Sequence, residues 1–466
     1  MTGESKARVT GWIDENAQRI FDISDEIWDH PELAMGEERA ADLLCDLLDG
    51  EGFDVDRGVA GMPTAFVAEH SVGSGSPVVG ILAEYDALPA LSNEVVSRKQ
   101  PIVEGGPGHG CGHNLIGTGN TAAAIALSHA MASDGIDGTV RVYGTPGEEL
   151  LISKVFMARD GLFDDCDVIL TSHPTWENAA NANSCYALLS AEFTFHGESC
   201  HMPSTPQTGR NALDAAIMTI NGANTRKKHM HKDTVVEYVV PDGGLQPNIV
   251  PDVSRVWFFV RHPTVSQVLT DFEKVRDAAG GAATSTGTEL EERFITGCYG
   301  YLPNDRIAEV IYENALEVGP PTFTEEEETF AGEIMAEYDV PGRSEPLHTD
   351  VDLLADGVDK YSQDDGDASW IAPLGRFNYA FPRRVPYHGW GFTAVSGSSI
   401  GRKGMLFNAK TLATSAIDVL TRPGLLEEIQ AEHGDRTEGF SYDCLVPDDV
   451  DPITAEFVQE RLRPPG

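Results

Sequence analysis

One stretch limits the fold more than any other. Residues 76–88, SPVVGILAEYDAL, form a near-continuous apolar run that ends in acids. A strand that is apolar on both faces needs cover on both, the condition of a central strand in a parallel sheet. Comparable runs surround it: GFDVDRGV and TAFVAEH before, GTVRVYGTP and DVILTSHP after. GNTAAAIALSHAMAS lies between them as a small-residue helix. Strand–helix alternation of this kind predicts an α/β fold with a mainly parallel sheet flanked by helices, its sites at the strand ends. Residues 11–49 read as an amphipathic helical start, with Trp12, Ile20, Ile23 and Ile27 on one face and a second helix from about Glu37.

The rhythm changes near Tyr186. A strand (ALLSAEFTFHG), a helix (GRNALDAAIMTINGANT), two strands (DTVVEYVV, SRVWFFVR), a helix (TVSQVLTDFEKVRDAAG) and a strand (ELEERFIT) follow one another. That order is βαββαβ, a ferredoxin-like unit. A chain of 466 residues exceeds one compact core. The simplest division is a catalytic domain in two parts, 1–186 and 304–466, interrupted by an inserted domain at 187–303. The stretch from about Tyr442, acidic and Pro-bearing, reads as a surface tail.

Lys+Arg is 33 and Asp+Glu is 74, a formal net charge of −41. Such a chain repels nucleic-acid phosphates and anionic membranes, and both are dropped as partners. A disordered acidic tail does not explain the charge, because the acids run along the whole chain. An acidic face for a basic partner is one reading; a surface adapted to high salt is the favoured one. Molar salt shrinks the Debye length to roughly 3 Å, which removes most self-repulsion. Lysine is scarce beside arginine, and Asp-rich loops such as residues 364–367 recur. The start, MTGESKARVTGWIDENAQRI, has no apolar core of signal-peptide type, and no run of apolar residues is long enough to span a membrane. Seven scattered cysteines fit free thiols in a reducing cytoplasm.

Three short motifs follow strand-like segments. In Gly108-His109-Gly110-Cys111-Gly112-His113-Asn114, Cys111 and His113 flank a glycine and can turn toward one point. A thiolate with an imidazole suits zinc or another borderline metal; the plainer reading is a Gly-rich turn before a helix. In Gly144-Thr145-Pro146-Gly147-Glu148-Glu149, adjacent glutamates diverge. One could bind a metal while its neighbour faces the water, the Lewis acid and general base that hydrolysis needs. The third motif is Thr171-Ser172-His173-Pro174. A single histidine is more often just a satisfied polar residue. Together, however, Cys111, His113, Glu149 and His173 follow three strand ends that a parallel sheet would place on one edge. With Glu148 as a spare carboxylate this is a metallohydrolase constellation.

These motifs, with GILAEYDALP, GHGCGHNLIGTGN, YGTPGEE, GLFDDCDVILTSHP, PSTPQTGRNALDA, QPNIVPD, LEVGPPTFTEEEETFA and YHGWGFTAVSGSSIGRKGM, run through nearly the whole chain. In them the chain resembles the aminoacylase and glutamate-carboxypeptidase type of metal-dependent peptidases and amidohydrolases. Within that group it resembles members acting on p-aminobenzoyl-glutamate, indole-acetyl amino acids and Xaa-Arg dipeptides. The resemblance implies hydrolysis of an amide next to a free carboxylate in a small substrate. It implies Cys111, His113, Glu149, His173 and His388 as metal ligands, His388 coming from the far end of the chain. Glu148 would be the general base, and Asp86 would orient a ligand histidine, a helix cap being its plainer reading. His201 would stabilise the tetrahedral intermediate, while Asn248 and Arg261 would hold the substrate carboxylate or oxyanion; otherwise the three are an ordinary surface His, turn Asn and surface Arg. In this family such groups reach the partner subunit's site, which implies a homodimer through the inserted domain, itself a lid.

Two divalent ions are expected, manganese or zinc, with cobalt as a further option: thiolate and imidazole suit zinc, shared carboxylates manganese. The chain departs from its relatives around His201 (Glu198-Ser199-Cys200-His201-Met202), in the loop 363–369, and at Gly389, where a serine is common. These departures bear on specificity. A non-catalytic or regulatory subunit and a biosynthetic deacetylase or desuccinylase are the alternatives. The complete ligand set argues against the first, and the cysteine in CGH against the second.

Overall fold

The structure, a computed structural model, describes residues 2–339 and 345–462. Twelve strands among these residues are, in chain order, β1 (Asp54–Arg57), β2 (Phe66–Val72), β3 (Val78–Glu84), β4 (Gly138–Thr145), β5 (Val168–Thr175), β6 (Ala179–Cys185), β7 (Ala187–His196), β8 (Val235–Asp242), β9 (Val253–His262), β10 (Glu289–Cys298), β11 (Asp352–Asp359) and β12 (Leu374–Ala380). The apolar run at 76–88 gives β3, buried from Val79 to Glu84.

The larger sheet has eight strands in the order β1-β2-β4-β3-β5-β12-β6-β11. Its middle, β4-β3-β5-β12, is parallel throughout. Two antiparallel pairs, β1 with β2 and β2 with β4, close one side. β6, β11 and β12 are strands that pattern reading passes over, and β6 shows why. Its sequence, AANANSC, lacks the branched and aromatic residues that mark strands. It is held by its partners, antiparallel to β12 and parallel to β11.

The helix His113–Asp134 lies against β3 and is buried along most of its length. Small residues allow the close approach: a Cβ at Gly117 would stand 2.6 Å from the Glu84 carbonyl oxygen, and one at Gly119 would meet the Met405 side chain at 2.8 Å. The start of this helix is thereby pinned at the end of β3. No described helix is long and apolar enough to cross a membrane.

The second sheet is antiparallel, in the order β10-β7-β9-β8. Two helices, Ala212–Lys227 and Val265–Thr286, pack on it in the βαββαβ sequence. Phe193, Phe195, Phe258 and Phe272 fill the space between. The edge strand β8 leaves Tyr238, Val239 and Val240 exposed, and the neighbouring helix leaves Ile217 and Met218 exposed.

The C-terminal stretch is not the surface tail that its composition suggests. Ile453, Phe457 and Val458 are buried in one cluster with Met62, Phe156 and Trp257, residues of both lobes. The Phe457 ring takes the Arg293 guanidinium over its face at 4.3 Å, and Arg461 makes a two-pronged bond to the buried Glu192 of β7 at 2.6 and 3.0 Å. Farther back, the Tyr442 hydroxyl donates to Asp367 at 2.7 Å. Among the described residues of this stretch the acids face outward and mask four anchoring apolar residues, Val446 being the fourth.

Candidate metal centre

The C-terminal ends of three adjacent parallel strands carry the site. Glu84 ends β3, Glu148 and Glu149 follow β4, and His173 lies near the end of β5. The helix at His113 begins where this edge is most crowded, with Gly112 before it at φ 79°. That left-handed backbone favours glycine. A Cβ there would also stand 2.8 Å from the Pro174 side chain. Glycine at 112 is therefore what lets Cys111 and His113 share a point.

His388 arrives from the far end of the chain. Its backbone nitrogen donates to the Gly110 carbonyl at 3.2 Å, so its loop docks on the cysteine loop. It holds a positive φ of 55°, a strained backbone for a non-glycine residue.

Two groups of donors result. Cys111, His113 and His173 present ligand atoms within 4.8 Å of one another, and so do Cys111, Glu149 and His388. Cys111 belongs to both. Its Sγ lies 3.3 Å from His173 Nε2, and Glu149 Oε2 lies 3.2 Å from His388 Nε2. Asp86 braces the cluster: His113 Nδ1 donates to one oxygen at 2.8 Å and the Glu149 backbone nitrogen to the other at 3.0 Å. His113 Nε2 and Glu149 Oε1 are buried without a hydrogen-bond partner among the described residues. Buried polar atoms are nearly always satisfied, so inward-facing orphans amid S, N and O donors fit a cation.

The electrostatics are mixed: burial would lower His113, but Asp86 and Cys111 outweigh it and hold it well above its ordinary value. Burial pushes the Cys111 thiol well up, with Glu149 adding to it. Burial lowers His173 to about 4, which keeps its imidazole neutral, as a ligand must be. Burial also raises Glu148 well above the carboxylate range, with Glu84 as the next contributor. Asp86 goes the other way: burial would raise it, but His113 outweighs that and holds it low.

His201, Asn248 and Arg261 are not part of this cluster in the single chain. Among the described residues no hydrogen bond or ion pair joins them to it. His201 and Asn248 are exposed neighbours on the antiparallel lobe, Met202 nitrogen donating to the Asn248 carbonyl at 3.2 Å. His201 Nδ1 is 2.7 Å from Ser204 Oγ, and Arg261 on β9 pairs with Glu237 at 2.8 Å.

Motif reading misses three charged groups here. Glu84, Lys154 and Asp364 are fully buried beside Glu148. Lys154 Nζ lies 3.0 Å from Glu84 Oε1 and also bonds Asp364 Oδ1. Burial would lower this lysine, but Asp364 and Glu84 outweigh it and raise it. The only signal in the sequence was the acid at the end of the β3 run; nothing local marks a buried lysine.

Known proteins resemble this chain along nearly its full length. The peptidase dimerisation domain family matches residues 186–284. One of the p-aminobenzoyl-glutamate hydrolase subunits of Escherichia coli is 36% identical over 94% of this chain and 97% of its own. Xaa-Arg dipeptidase of Mus musculus is 30% identical over 92% and 91%. Among solved structures, an aminobenzoyl-glutamate utilization protein from Klebsiella pneumoniae superposes with a TM-score of 0.62 at 17% identity, covering 89% of this chain and 99% of that one. A dinuclear metal-binding peptidase from Bacillus subtilis does so with a TM-score of 0.57 at 17% identity, over 87% and 99%. At such identities the two structures speak for the fold.

Proposed function

Since the chain belongs to the metal-dependent peptidases and amidohydrolases of the aminoacylase and glutamate-carboxypeptidase type, we propose that it hydrolyses the amide of a small N-acyl amino acid, aminobenzoyl-glutamate or dipeptide-like substrate with a free carboxylate. One observation carries the reading. Six residues from four separate segments, Cys111, His113, Glu148, Glu149, His173 and His388, converge, with unpartnered donor atoms facing inward.

Cys111, His113, Glu149, His173 and His388 would hold two divalent ions, with Cys111 common to both groups. Manganese or zinc suits this mixed donor set, and cobalt is a practical substitute. When bound, the metal supplies Lewis acidity for the amide carbonyl and makes water a better nucleophile at neutral pH. Glu148 takes a proton from the attacking water as the C–O bond forms, then delivers it to the leaving nitrogen as the C–N bond breaks. Asp86 keeps His113 in the tautomer whose Nε2 faces the site.

Residues 187–303 act as a dimerisation and lid domain between catalytic segments 1–186 and 304–466. The exposed apolar edge at Tyr238, Val239 and Val240 supports a homodimer through this lobe. His201, Asn248 and Arg261 then serve the partner's site. His201 donates to the developing oxyanion, a contribution of about 3 kcal/mol for one well-placed donor. Asn248 and Arg261 read the substrate carboxylate. Because the Escherichia coli relative is one subunit of its enzyme, a mixed assembly with a related chain is the second reading. The native mass and activity of the purified chain alone separate the two. The exposed acids fit a cytoplasm of high salt, although Asp364, Asp365 and Asp367 of the Asp-rich loop are buried and do not belong to that surface.

The test is a panel of p-aminobenzoyl-glutamate, N-acyl amino acids and Xaa-Arg dipeptides, each offered to the metal-loaded protein. Cleavage of one class assigns the substrate; no cleavage of any member by a metal-loaded dimer removes the proposal.

A further inference from the structure

His113 presents a conflict that the metal reading leaves open. Its Nδ1 is committed to Asp86, so Nε2 has one lone pair to offer. Two donor groups compete for that lone pair. One is Cys111–His113–His173. The other is Glu84–His113–Glu148, whose ligand atoms also lie within 4.8 Å of one another. Glu84 Oε2 stands 3.5 Å and Glu148 Oε2 3.7 Å from His113 Nε2. Neither oxygen of Glu84 has a hydrogen bond among the described residues, so this carboxylate is chemically available. An ion settling in the second group would take Glu148 as a ligand and remove the base.

Lys154 stands on the far side of that second group. It is fully buried, its backbone nitrogen donates to Asp364 Oδ2 at 3.0 Å, and its ammonium lies 3.0 Å from Glu84 Oε1. The contact with Glu84 is an ion pair without hydrogen-bond alignment, while Asp364 holds the ammonium in place. A fixed positive charge there neutralises Glu84 and repels a divalent ion approaching the same carboxylate, strongly so in a dry interior. Among the described residues, no lysine or arginine is paired with Glu149, the carboxylate of the groups that share Cys111.

We propose that Lys154 is a positioning residue that bars divalent metal from the Glu84–His113–Glu148 group, steering it to Cys111 and leaving Glu148 free as the general base. The inference rests on the metal-centre reading under Proposed function. Glu84 is accordingly a counter-charge for Lys154 and not a metal ligand.

Cobalt reports the outcome directly, because a thiolate bound to cobalt gives a sulfur-to-metal charge-transfer band. At two cobalt ions per chain the parent protein shows the full band from Cys111. In Lys154→Met one ion moves to Glu84 and Glu148. The band then falls to about half, and kcat falls at least tenfold while KM changes less than twofold. An unchanged band at the same stoichiometry in a folded Lys154→Met overturns the proposal. Glu84→Gln tests it independently of that variant's folding, since Asp364 still holds the lysine. It should bind two cobalt ions with the parent band, and loss of an ion would make Glu84 a ligand and refute the assignment. A parent protein that takes up no cobalt sinks the metal centre and this inference with it. A parent that loads normally beside an unchanged Lys154→Met sinks this inference alone.

Discussion

Glu148 and Glu149 are adjacent in sequence, yet their carboxylates meet different neighbours. Glu149 is tied to His388, and its backbone to Asp86, while Glu148 faces Glu84 and the buried ammonium. Glu148→Gln should therefore keep full metal content and lose about 10²–10⁴-fold in kcat, read by metal analysis beside steady-state kinetics. Undiminished turnover would remove Glu148 as the base. Cys111 makes a second test. Its thiol is pushed well up by burial and must lose its proton to bind metal. Metal affinity should thus rise with pH by about tenfold per unit for each proton released, measured by competition with a chelator. A pH-independent affinity would exclude the thiolate. Cys111, His113, Glu149 and His173 were legible because their motifs follow strand-like runs. His388 was reachable only through family resemblance, since its docking on Gly110 is a contact across 278 residues (388 − 110). Lys154 and Asp364 were illegible, because burial of a charge is decided by what surrounds it in space.

At the scale of elements, β3, β4 and β5 of the parallel centre and the βαββαβ unit were readable from hydrophobic runs alone, whereas β12, which completes that centre, was not. Nor was β6, because its pairing is imposed by β11 and β12 instead of by its own side chains. The helix Ala455–Arg461 shows the opposite failure. Composition hid a short element that straps the two lobes together, with Phe457 against Trp257 and Arg293. Phe457→Ala should cost about 3 kcal/mol, the usual loss for a buried phenylalanine, read by denaturant unfolding. A loss under about 0.5 kcal/mol, the range of ordinary surface changes, would return the segment to the status of a tail.

For the whole molecule, charge is the dominant fact. A formal charge of −41 gives strong self-repulsion in dilute buffer and little at molar salt. The melting temperature should climb steadily as potassium chloride rises into the molar range, and the protein should be inactive or partly unfolded in dilute buffer. Full folding and activity at low ionic strength would contradict the salt-adapted reading. In the proposed reading, the shared edge of the sheet and the distant His388 hold a cation beside a free carboxylate. The most direct test strips the protein of metal at high salt and returns manganese, zinc or cobalt while amide cleavage is followed. The stripped protein should show no turnover, and recovery should saturate at two ions per chain. Turnover that persists without metal, or metal uptake that survives loss of both Cys111 and His113, would contradict a metal centre at this sheet edge.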